Sequence, residues 1–122
     1  MGFETKFRAE FKPPNSWVLT KPLVYSSERF GRIVVPAGFD TDLASIPQGA
    51  QSFISKVGKH TAPSVVHDWL YVSAPERNEA TRKRADQIFL EAMKAEGVGL
   101  VTRFIMYRAV RDFGAVIFYK KR

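Results

Sequence analysis

Titratable side chains gather in two short stretches, Asp40-Thr41-Asp42-Leu43-Ala44-Ser45-Ile46-Pro47 and His67-Asp68-Trp69-Leu70-Tyr71. If the first stays extended, Asp40 and Asp42 point to one face, as residues i and i+2 of a strand do. Two neighbouring carboxylates can hold a hard cation or share a proton. On a helix His67 and Asp68 diverge by about 100°, so they flank one site without facing each other. Tyr71 lies four residues beyond His67, on the same helical face. Asp40, Asp42, His67 and Asp68 are therefore candidate ligands for a divalent metal, although nothing in the sequence requires a cofactor. Asp86 follows Arg82 at helical i,i+4 spacing, which reads as a surface ion pair worth under about 1 kcal/mol.

Each pattern also has a plainer reading. Asp, Thr and Ser ahead of a proline commonly bond their own backbone, as Asx-turns or as a cap for one helical turn. A Ser-His-Asp hydrolase can be drawn from Ser45, His67 and one of Asp40, Asp42 or Asp68. Yet no G-x-S-x-G elbow or glycine-rich oxyanion loop stands near Ser45. Metal-dependent phosphohydrolases with a His-Asp doublet need a second histidine well upstream on an all-helical scaffold. Here His60 is only seven residues away and the first half reads as sheet. A histidine among bulky apolar neighbours is more often a hydrogen-bonded core residue, and that reading carries the greater weight.

The elements that position these residues change character midway. Phe3–Phe11 alternates partly, Pro13-Pro14-Asn15-Ser16 marks a turn, and Trp17–Leu19, Leu23–Tyr25 and Arg32–Val35 are short β-prone runs. Pro22 suits an edge or a break. In the second half Thr61 can cap a helix opening at Ala62-Pro63 and running to about Val72. Asn78 caps a second helix carrying Ala85, Ile88, Phe89, Ala92 and Met93, with Gly97 as its stop. A third runs from about Gly99 to Phe113 and ends at Gly114; Ala115–Tyr119 either extends it or returns as a strand. The expected architecture is one α+β domain over residues 1–122: a small, mostly antiparallel N-terminal sheet followed by three C-terminal helices packed on it.

Composition narrows the function classes. At 122 residues, 45% hydrophobic and 13% aromatic, the chain can build a core, and disorder is excluded. With no cysteine there is no disulfide, no thiolate nucleophile and no Cys-type zinc site. No segment approaches the roughly 20 apolar residues of a membrane span, and the N-terminus lacks the order of a signal peptide. The net charge of +7 is spread over both halves and thickens only at the end, where Arg103, Arg108, Arg111, Lys120, Lys121 and Arg122 face Asp112. Arg82-Lys83-Arg84 is a second basic run. Without a helix-turn-helix, zinc-finger or RNA-recognition motif, these imply at most weak, non-specific attraction to nucleic acid.

The string Val35-Pro36-Ala37-Gly38-Phe39-Asp40-Thr41-Asp42-Leu43-Ala44-Ser45-Ile46-Pro47 resembles the signature of a small phage- and prophage-encoded family, domain of unknown function 1353. His67-Asp68-Trp69-Leu70-Tyr71 is similar to its second block, Ala85–Met93 to its third and Met106–Gly114 to its fourth, in the same order. The resemblance implies a phage context and no established activity. It also implies that Asp40, Asp42, Ser45, His67, Asp68, Tyr71 and Asp86 belong to one constellation, either polar core or active site. The leading expectation is a structural or accessory virion protein of the tail or neck, made in the host cytoplasm and assembled with other virion proteins. The alternative is a small hydrolase, metal-assisted or not, acting on peptidoglycan or a phosphoester.

Overall fold

The computed structural model describes residues 2–42 and 58–120. Ser45 and the rest of its polar stretch after Asp42 lie outside the described residues. The first half forms six strands: β1 (Gly2–Phe3), β2 (Ala9–Lys12), β3 (Ser16–Leu19), β4 (Leu23–Ser27), β5 (Gly31–Val35) and β6 (Asp40–Thr41). They make two three-stranded antiparallel sheets, one ordered β1-β4-β5 and the other β2-β3-β6. The chain crosses between them at Lys21-Pro22, where the proline interrupts the run from β3 to β4. Strand β5 shows the cleanest alternation: Ile33 and Val35 are buried while Arg32 and Val34 face out.

Three helices follow: α1 (Thr61–Ser73), α2 (Glu79–Ala95) and α3 (Leu100–Lys120). The α+β arrangement is as expected, and Asn78 caps α2, its side chain accepting the Thr81 amide at 2.9 Å. Gly97, at φ +80°, supports the turn beyond that helix. Two local expectations are corrected. Thr61 is the first residue of α1 rather than its cap, and its hydroxyl accepts the Gly58 amide at 2.7 Å. Gly114 does not stop α3, which runs through it and takes up Ala115–Tyr119 as helix.

Helix α2 is buried on two sides. Ile88 and Ala92 join Leu23, Tyr25, Ile33 and Val35 of the first sheet and Val65 and Val66 of α1 in one core cluster. Phe89 and Met93, one residue on, pack instead against Val98, Met106 and Val110. A third cluster joins Tyr71, Ala85 and Phe118. So α3 rests on the helical layer along a single stripe, Met106, Val110, Gly114 and Phe118, spaced one turn apart. The sheet is tied to α2 by Tyr25 Oη, which donates to Glu91 Oε1 at 2.6 Å. In the connection between α1 and α2, Arg77 donates to Tyr71 O and Val72 O (the latter at 3.0 Å) and reaches Phe118 O on α3 at 3.4 Å.

Candidate functional site

The centre of the polar constellation is Asp86, fully buried on α2 at 0% exposure. Its Oδ1 accepts from Tyr71 Oη at 2.5 Å and lies 2.7 Å from His67 Nε2. A carboxylate can only accept, so the hydrogen of that second contact sits on Nε2. Its Oδ2 accepts from Arg111 Nη1 at 2.7 Å and lies 3.5 Å from Arg82 Nη1. His67 and Tyr71 come from one face of α1, four residues apart, with ring centroids 4.1 Å from each other. Phe89 closes over His67 at 4.7 Å and Phe118 over Tyr71 at 4.9 Å, so the charge is enclosed by rings.

Among the described residues the network reaches solvent at Glu79. Glu79, in the first turn of α2, accepts from Arg82 Nε at 2.9 Å and from Arg111 Nη2. Arg82 also donates to Val110 O at 3.0 Å and Arg111 O at 3.3 Å, so it binds the middle of α3 by backbone as well as by charge. Two carboxylates face two guanidiniums, and the cluster is charge-balanced. Hydrogen bonds from Arg82 and Arg111 hold the Glu79 carboxyl below its ordinary range. Burial is the largest single effect on the two guanidiniums and works against their charge, but the hydrogen bonds to Glu79, together with Tyr71 for Arg82 and Asp86 for Arg111, outweigh it and both titrate above their usual value. Burial first, then the Asp86 charge, pushes the Tyr71 phenol well up.

Gly114 is the piece that lets this network close. A Cβ there would stand 2.7 Å from Tyr71 Oη and 3.5 Å from Arg82 Nη1. With no side chain, α3 lies directly on the phenol, and Arg82 reaches the carbonyl of Val110.

Of the residues singled out from sequence, the structure therefore brings together His67, Tyr71 and Asp86. Asp68 is buried beside them in sequence on α1. Asp40, on β6, and Asp42, one residue beyond its end, flank the buried Thr41 and are both exposed to solvent. The strand is seated on α1 by Phe39, whose ring meets Trp69 edge-on at 5.3 Å. Among the described residues no group of three or more His, Asp or Glu side chains converges to hold a metal ion.

The Arg82–Asp86 pair is present, but not at the surface: Arg82 is 6% exposed and Asp86 not at all. The i,i+4 spacing was readable, whereas the covering of that face by α3 was not. Arg111 is likewise drawn out of the basic C-terminal group, partly buried against Asp86, and only Lys83 and Arg84 of the other basic run face solvent. Two depressions, of about 580 and 160 Å³, lie elsewhere. The larger runs between Phe3–Phe7 and the start of α1, the smaller between Leu70 and Thr81; neither is lined by His67 or Asp86.

No helix among the described residues is long and apolar enough to cross a membrane. No curated protein and no solved structure matches the chain. Residues 17–110, which carry β3 to the first half of α3 and hence His67, Tyr71, Glu79, Arg82 and Asp86, match the family described as "Protein of unknown function (DUF1353)", and the chain belongs to that family.

Proposed function

We propose that the protein is a structural or accessory component of a phage particle, in the tail or neck, assembled in the host cytoplasm and docking onto other virion proteins. The observation that carries this reading is how completely Asp86 is used. Its two oxygens meet three hydrogen-bond donors, His67, Tyr71 and Arg111, with the Arg82 guanidinium 3.5 Å away, and neither Asp86 nor His67 reaches solvent. An ionised carboxylate offers about four lone-pair sites; three are taken by hydrogen bonds, and burial together with the Arg82 guanidinium closes off the rest from a substrate. The residues that look chemical hold three helices together instead. What the protein presents outward is a +7 charge and a helix with an apolar outer face. Quantitative mass spectrometry of purified particles tests the proposal. A fixed copy number per particle is expected, and absence from particles overturns it.

One observation favours a second reading. The His67–Asp86 hydrogen bond is the arrangement by which a buried carboxylate orients a general-base histidine, and the family resemblance groups Ser45 and Asp42 with that histidine. On this reading the protein is a small hydrolase. His67→Ala and Asp42→Ala would then abolish hydrolysis of peptidoglycan or a phosphoester in a protein that stays folded. Stoichiometric zinc or manganese in the isolated protein would point the same way. If both substitutions unfold the chain, the hydrolase reading falls.

A further inference from the structure

Seven of the nine exposed large apolar side chains among the described residues are on α3. Its buried stripe drifts around the helix, and the outward face opposite it follows the row Val101, Phe104, Arg108, Asp112, Val116 and Tyr119. The spacings are three, four, four, four and three residues, which keeps the row on one side of the helix. That spacing reads the same in both directions, and so does the chemistry. Two apolar residues lie at each end, and in the middle a base and an acid exchange places on reversal.

From this symmetry we infer that the outer face of α3 binds a second copy of the same chain, antiparallel, about a two-fold axis passing between Arg108 and Asp112. In an isologous contact each residue i meets a residue j, and j meets i. Here Val101 faces Tyr119 of the other copy, Phe104 faces Val116, and Arg108 faces Asp112. Arg108 and Asp112 already form an exposed i,i+4 pair at 2.8 Å. Two such pairs meeting across the axis place every charge between opposite charges. A parallel arrangement would set Arg108 against Arg108 and is disfavoured by like-charge repulsion. Apolar ends around a paired polar centre also fix register, as a buried polar position does in coiled coils.

The size of the contact is modest. A 21-residue helix is about 31 Å long, which places a helix-on-helix dimer at the small end of stable interfaces. A dissociation constant of about 1–100 μM is expected. The inference does not rest on the virion reading, because it concerns the isolated chain.

The absence of cysteine makes the test direct. Sedimentation velocity of the full chain over a concentration series should show a monomer–dimer equilibrium. Phe104 is 61% exposed, so Phe104→Glu leaves the circular dichroism unchanged while weakening the dimer about tenfold or more. The register is read by disulfide trapping. A mixture of Phe104→Cys and Val116→Cys chains should cross-link one to the other, and Phe104→Cys alone should not cross-link to itself. The charge-swapped Arg108→Asp/Asp112→Arg chain should dimerise like the wild type, and Arg108→Asp alone should not. A chain that stays monomeric to about 100 μM overturns the inference, and so do disulfides joining like positions.

Discussion

Gly114→Ala separates two roles that a glycine can have on a helix. In an exposed helix interior the substitution stabilises by about 0.5–1 kcal/mol, because alanine loses less conformational entropy. Gly114 is not exposed: the added Cβ would stand 2.7 Å from Tyr71 Oη, well inside van der Waals contact. Two ways out exist. The phenol can swing away, losing a hydrogen bond to a buried carboxylate worth about 1.5–3 kcal/mol. Alternatively α3 can lift, at the roughly 1–3 kcal/mol typical of overpacking. Subtracting the helical gain leaves a net destabilisation of about 1–2 kcal/mol. Removing the hydroxyl removes the obstruction. In a Tyr71→Phe background Gly114→Ala should therefore stabilise by up to about 1 kcal/mol, a coupling of about 2 kcal/mol across the cycle. Urea unfolding of the four proteins, followed by far-UV circular dichroism and by tryptophan fluorescence, measures this if the denaturant slopes agree. Stabilisation of the wild type by Gly114→Ala would refute the packing of α3 on Tyr71.

Three further expectations concern the same helical layer. Asp86→Ala leaves two guanidiniums, a histidine and a phenol without their shared acceptor and should cost about 3–5 kcal/mol, a large share of the roughly 5–15 kcal/mol of an ordinary domain; a loss under 1 kcal/mol in urea unfolding would contradict the network. Tyr25 and Tyr71 both ionise less readily when folded than at the ordinary value of 10.0. Their contribution is complete below that pH and is lost as pH rises past it, so their tyrosinate absorbance should appear only as circular dichroism reports unfolding. The Glu79 carboxyl is shifted the other way, so its contribution holds above the ordinary value of 4.5 and is lost as pH falls below it. Asn78→Ala removes the acceptor for the Thr81 amide and should lower stability by about 1 kcal/mol by thermal or urea unfolding.

What was legible in the sequence was local. Asn78 and Gly97 mark α2 because a cap and a stop act on adjacent backbone, and the Ile33/Val35 alternation marks β5 because a strand has period two. Gly114 misleads for the same reason. A glycine at the end of a helical pattern looks like a stop, and only the hydroxyl of Tyr71, on another helix, shows that it is a point of close approach. Arg82 and Asp86 were visible as a pair but not as a buried one, since burial depends on α3 lying across them. Arg111 had no local signal at all, being one of several basic residues near the end of the chain. Asp40 and Asp42 illustrate the converse: their common face follows from strand geometry, but which face meets solvent is set by the packing of Phe39 on Trp69.

Residues 74–78, between α1 and α2, have the composition of an ordinary surface connection, yet Arg77 makes them unusual ground for protein engineering. One guanidinium serves the carbonyl end of α1 and, through Phe118, the last turns of α3, lying 5.1 Å over the Phe118 ring as well. Its reach is fixed by the length of that connection. An affinity tag, fluorophore loop or permuted terminus inserted there would move the planar fork away from two helix ends at once, and lysine, a single point donor, could not replace it. The exposed turn at Glu28–Arg29 between β4 and β5, a plain hairpin, is the better place to graft a label.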